Sequence, residues 1–83
     1  MHVVYTHCCG LDVHKRSITA CLLVSGAGGK GQHEIRRFGT MTRDLLELAD
    51  WLQSQQVTHV AMESTGVYWK PVWNILEGQF EVV

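Results

Sequence analysis

The sequence predicts a mixed α/β domain, one sheet with helices packed on it. Three observations predict it. Short runs rich in Val, Ile and Leu recur at residues 7–13, 18–25 and 57–64. One stretch, roughly 42–56, repeats its apolar residues at helical spacing. That helix lies between strands, which implies a crossover and therefore a parallel pairing, whereas the earlier connections suit hairpins.

Composition sets the bounds. At 83 residues the chain has the size of one small domain or a piece of a larger one. Its 46% apolar content is ordinary for a globular protein, so disorder is not expected. A net charge of −1 gives no bulk electrostatic sign of a nucleic-acid surface. The longest apolar run, Ile18 to Val24, is far below the ~20 residues of a membrane span. With no signal-peptide pattern at the N-terminus, the expectation is a soluble, cytoplasmic protein without a membrane partner. The three cysteines, two of them adjacent at Cys8 and Cys9, make neither a disulfide framework nor a C-x-x-C zinc pair. They read as buried thiols in a reducing compartment.

The elements follow in order. Val3, Val4 and Tyr5 have extended character at a terminus that commonly frays. His7 to Val13 reads as a strand with Cys8, Gly10 and Asp12 on one face and Cys9, Leu11 and Val13 on the other. Both faces are mostly apolar, which predicts a central strand covered on both sides. Gly10, two positions before Asp12, leaves room for a ligand or another backbone to come close. The polar His14–Ser17 stretch then turns the chain into a second strand, Ile18 to Ser25.

The glycine-rich stretch from Gly26 to Gly31 lacks the Gly-Lys-Ser/Thr ending of a phosphate loop, and no helical pattern follows it. It reads as a hairpin turn into a third strand, Gln32 to Phe38, polar enough to lie at an edge. Thr40 or Thr42 is the expected cap of the helix over 42–56, with Asp44 at the positive end of its dipole. Leu45, Leu48, Ala49 and Leu52 form its apolar stripe. Trp51 lies off the centre of that stripe, so it is expected to be partly exposed or to flank the sheet.

Val57 to Ser64 returns to a strand pattern, and Val67 to Gly78 forms a second helix that ends on a glycine. Pro71 requires either that this helix begin just before it or that it bend there. Phe80 to Val83 opens a fifth strand, where the sequence stops. A chain ending inside a strand is expected to be an incomplete fold.

Two acids stand out. Asp12 interrupts an apolar strand, and Asp is a poor strand former that is costly to bury without a partner or a cation. Glu63 ends another apolar strand just before the turn at Gly66. In open α/β sheets the working groups collect beyond the carboxyl ends of strands. Carboxylates on neighbouring strands, about 4.8 Å apart, are close enough to share Mg²⁺ or Mn²⁺. Taken alone, Asp12 is equally well a turn cap or a hydrogen-bonded buried acid, and no third acid offers itself as a ligand.

Gly10-Leu11-Asp12-Val13-His14-Lys15, together with Met62-Glu63-Ser64-Thr65-Gly66-Val67-Tyr68-Trp69, resembles the N-terminal catalytic domain of the DEDD insertion-sequence transposases. The resemblance spans essentially the whole chain, 1–83. It implies an RNase H-like (RuvC-like) mixed sheet in the order strand, strand, strand, helix, strand, helix, strand, truncated at the C-terminus. It also implies a nucleoid-associated, RNA-guided prokaryotic recombinase that cleaves and exchanges DNA strands as a homo-oligomer. Asp12 and Glu63 would be the first two acids of the DEDD set and would bind Mg²⁺ or Mn²⁺.

The family's remaining acids, in an Asp-x-x-Asp element, and its serine-bearing domain are not among these residues, so the 83-residue fragment is expected to be inactive alone. Lys15, Arg16 and Tyr68 are candidate nucleic-acid contacts, and Trp69 can stack on a base or pack on the sheet. His14 is a weaker candidate as a proton carrier. Ser64 and Thr65 read as helix caps rather than nucleophiles. Two readings from other classes compete: an actin-like or sugar-kinase ATPase fragment, whose phosphate turn would replace His14-Lys15-Arg16 with small residues, and a non-catalytic oligomerisation module.

Overall fold

The computed structural model describes residues 7–25 and 31–82. The N-terminal residues Val3 to Tyr5 and the glycine-rich turn lie outside the described residues. The elements are β1 (His7–Val13), β2 (Ile18–Ser25), β3 (Gly31–Phe38), α1 (Thr42–Ser54), β4 (His59–Ser64), α2 (Trp69–Leu76) and β5 (Glu81–Val82). The strands form one sheet in the order β3-β2-β1-β4-β5. β1 pairs antiparallel with β2 and parallel with β4, β3 is antiparallel to β2, and β5 is parallel to β4. The mixed α/β class expected from the sequence is therefore the class observed.

The core lies on one side of the sheet. Cys9, Leu11 and Val13 of β1, Ile18, Ala20 and Leu22 of β2, and Val60 of β4 are buried against Leu45, Leu48 and Leu52 of α1 and Val72 and Leu76 of α2. Register partners share a face, so these residues all belong to the side that both helices cover. On the other side Asp12 and Glu63 are exposed, and Cys8 and Gly10 are half-buried. The expectation of a central strand covered on both sides is corrected: among the described residues β1 is covered on one face only. Asp12 is accordingly not a buried acid.

The fold decides three local expectations. Neither Thr40 nor Thr42 caps α1. The cap position is Met41, whose backbone N–H donates to the Asp44 carboxylate at 3.1 Å, so the acid that suits the dipole also satisfies a free donor. Of the two placements expected for Trp51, it takes the one that flanks the sheet: it is 7% accessible, with its ring centroid 5.6 Å from that of Phe38. It covers the underside of the edge strand, which is why it sits off the centre of the helical stripe. Ser64 and Thr65 do not cap α2: that helix begins after Tyr68, and the Ser64 hydroxyl donates to the Thr65 carbonyl. Pro71 falls in the first turn of α2, where its missing N–H leaves no bond unmade.

Candidate metal centre and nucleic-acid contacts

β1 and β4 run parallel in a register that makes Asp12 and Glu63 direct partners. Both side chains therefore stand on the open face, one strand spacing of about 4.8 Å apart. The pairing is fixed at its end: the Thr65 N–H donates to the Val13 carbonyl at 3.1 Å, tying the exit of β4 to the exit of β1. Beyond it the chain reverses through Gly66, whose φ of +59° lies in the left-handed region that glycine adopts without strain.

The acids border a trough of about 500 Å³ that includes Gly10, Thr19, Cys21, Ala61 and Glu63. Cys21, Gly10 and Ala61 are abreast across β2, β1 and β4, so three small residues make a low floor beside the carboxylates. A Cβ placed on Gly10 would meet nothing within 4 Å, in keeping with the open approach expected there. The next row is Thr19, Asp12 and Glu63, and β3 extends it with Arg37.

One contact was not legible from the spacing alone. His14 Nε2 lies 3.1 Å from Asp12 Oδ2, with the Asp12 side chain 60% accessible. The alternation i, i+2 puts His14 on the same side as Asp12, and the turn closed by the His14 N–H to Ser17 carbonyl bond at 2.9 Å holds it there. The imidazole thus contacts one oxygen of a carboxylate that stays largely open to solvent.

Two carboxylates on adjacent strands repel each other unless something positive lies between them. Their hard oxygens, open to solvent, suit Mg²⁺ or Mn²⁺, which keeps several waters and commonly takes only one or two carboxylates from a protein. Among the described residues no group of three or more His, Cys, Asp or Glu side chains is arranged to hold a metal. The donor set fits a partly hydrated ion completed by further ligands, not an enclosed structural site.

Lys15 and Arg16 are exposed in the β1–β2 turn, and the Lys15 carbonyl accepts from the Thr40 hydroxyl at 3.2 Å. Lys15 and Tyr68 meet across a groove of about 410 Å³ that Lys70 also lines, whereas Arg16 does not line it. Tyr68 is 39% accessible. Trp69 packs edge-on against Trp73 with centroids 6.3 Å apart, so part of its ring surface is used within α2.

Of the three cysteines expected to be buried, Cys9 is, and burial, then the neighbouring Cys21 and Cys8, pushes its thiol up to about 12, whereas Cys8 and Cys21 are only half-buried. No helix among the described residues is long and apolar enough to cross a membrane. A family model described as Transposase, that of the IS110-type DEDD transposases, matches residues 9–83. No curated protein matches the chain.

Proposed function

The chain belongs to the IS110-type DEDD transposase family, and from that membership we propose that Asp12 and Glu63 are its metal-binding catalytic acids for DNA strand cleavage and exchange. The observation that supports this reading is the direct pairing of the two carboxylates on the open face of β1 and β4. Like charges opposed on neighbouring strands weaken a sheet by a few tenths of a kcal/mol to about 1 kcal/mol, toward the low end where solvent screens them. A bound cation turns that repulsion into affinity.

When bound, Mg²⁺ or Mn²⁺ supplies charge that activates a water or hydroxyl and steadies the leaving oxygen of a phosphodiester. The protein's part is positional. Asp12 and Glu63 fix the ion at the end of the sheet, and His14 orients the Asp12 carboxylate through its 3.1 Å contact. The low floor of Gly10, Ala61 and Cys21 admits a nucleic-acid backbone close to the acids. Lys15 and Tyr68, which line a separate groove against the two helices, and Arg16, exposed in the same turn as Lys15, would contact phosphate and sugar where the nucleic acid leaves the acids.

In this reading the architecture is RNase H-like, of the RuvC type. The two acids work with the family's Asp-x-x-Asp element and serine-bearing domain. The working form is a nucleoid-associated homo-oligomer with DNA and a guide RNA as partners. The test is strand cleavage by the transposase that contains this domain. Asp12→Asn and Glu63→Gln should each lower metal-dependent cleavage by about a hundredfold or more, a larger loss than removing a supporting residue causes. Cleavage at the unaltered rate in either variant contradicts the assignment.

A further inference from the structure

The row that holds the two acids does not stop at them. Across β3, β2, β1 and β4 it reads Arg37, Thr19, Asp12, Glu63, all register partners and hence all on the open face. It is polarised, with two carboxylates at one end and a guanidinium at the other. Arg37 is exposed and makes no ion pair or hydrogen bond among the described residues.

Its neighbour Arg36, equally exposed, differs in face and in partners. It faces the helices, bonds the Glu34 carboxylate at 2.5 Å and lies 4.9 Å from the centre of the Trp51 ring. Charged residues protect an edge strand from unwanted pairing wherever they stand along it, and Glu34 and Arg36 already do so. That role gives no reason for Arg37 to fall on the row of the acids.

We propose that Arg37 and Thr19 form a phosphate subsite for the DNA strand whose scissile phosphate lies at Asp12 and Glu63. The strand then runs across the sheet from β4 toward β3. This rests on the metal-centre reading above. Two strand spacings put the Arg37 backbone about 10 Å from that of Asp12. In a duplex strand that is the axial rise of about three nucleotides. Arg37, whose fork binds phosphate oxygens in pairs, therefore meets a phosphate within three nucleotides of the scissile one. The Thr19 hydroxyl, between them in the row, donates to the same stretch of backbone.

The test is binding of a 12-base-pair DNA duplex in Mn²⁺ over a series of salt concentrations. Arg37→Ala should weaken binding about tenfold and reduce the salt slope by about one, the loss of one phosphate contact. Arg37→Lys should restore the slope and only part of the affinity. The concentration of Mn²⁺ that stabilises the protein should be the same in all three. Unchanged affinity and slope in Arg37→Ala overturn the subsite and leave the metal centre standing. An equal loss in Arg43→Ala, on the helix side of the molecule, also overturns it, because the effect would then be one of overall charge. If the unaltered protein does not bind the duplex in Mn²⁺, or its response to Mn²⁺ is indifferent to Asp12 and Glu63, the metal-centre reading fails and the subsite with it.

Discussion

Asp12 owes its position to the alternation of β1 rather than to burial. The same alternation that sends Cys9, Leu11 and Val13 into the core leaves Asp12 in water beside Glu63 and His14. The residues on the core side carry a separate prediction. The folded state keeps the Cys9 thiol protonated up to about pH 12, against its ordinary value of 9.0. Because the folded pKa is raised, the stability that Cys9 contributes is complete below pH 9.0 and is lost as pH rises toward 12. The stability of the unaltered protein relative to Cys9→Val should therefore fall over that window, as measured by thermal unfolding at a series of pH values. A pH-independent difference contradicts it.

At the scale of the element, the end of α1 shows how the chain accepts a local cost. The Gln56 N–H bonds the Gln53 carbonyl and the Val57 N–H bonds the Leu52 carbonyl, each at 3.0 Å, while buried Val57 and Leu52 belong to the same core. This is a Schellman ending, and its left-handed position holds Gln56 at φ 58°, where glycine is usual. Gln56→Gly should raise stability by about 1 kcal/mol, read as a higher denaturant midpoint with an unchanged slope. A lower midpoint would contradict the account of this turn.

The same elements show what the sequence could report. Apolar runs separated by the polar His14–Ser17 turn gave β1 and β2 their bounds, and the Leu45, Leu48, Ala49 and Leu52 stripe marked α1, because that helical repeat records directly which side of the element meets the core. The cap at Met41 and the burial of Trp51 were not legible. Both depend on neighbours that only the folded chain supplies: Asp44 reaching back to a backbone N–H, and Phe38 lying over the indole.

For the whole molecule, the decisive fact is that both helices cover one face. The sequence suggested cover on both sides because Cys8 and Gly10, which alternation puts on the face of Asp12, look apolar in isolation, and only the packing of α1 and α2 against Cys9, Leu11 and Val13 shows which face stays open. The approach of the two acids was predicted. His14 was only a weaker candidate beside Asp12, and Arg37 in their row was not foreseen, since its place depends on how strands line up. The open face also exposes Leu23, at 49%, and Ile35, at 64%, the latter on an edge strand. Such a surface favours association between copies. The chain should self-associate at high concentration in sedimentation experiments, and Ile35→Lys should shift it toward monomer. A strictly monomeric profile for the unaltered chain contradicts this.

The most direct measurement is a crystal soaked in Mn²⁺, with the anomalous signal mapped at the end of β1 and β4. The account predicts one peak bridging Asp12 and Glu63, about 2.1 Å from an oxygen of each, that disappears in Asp12→Asn. No peak between the two carboxylates, or one that persists when Asp12 is replaced, would contradict it.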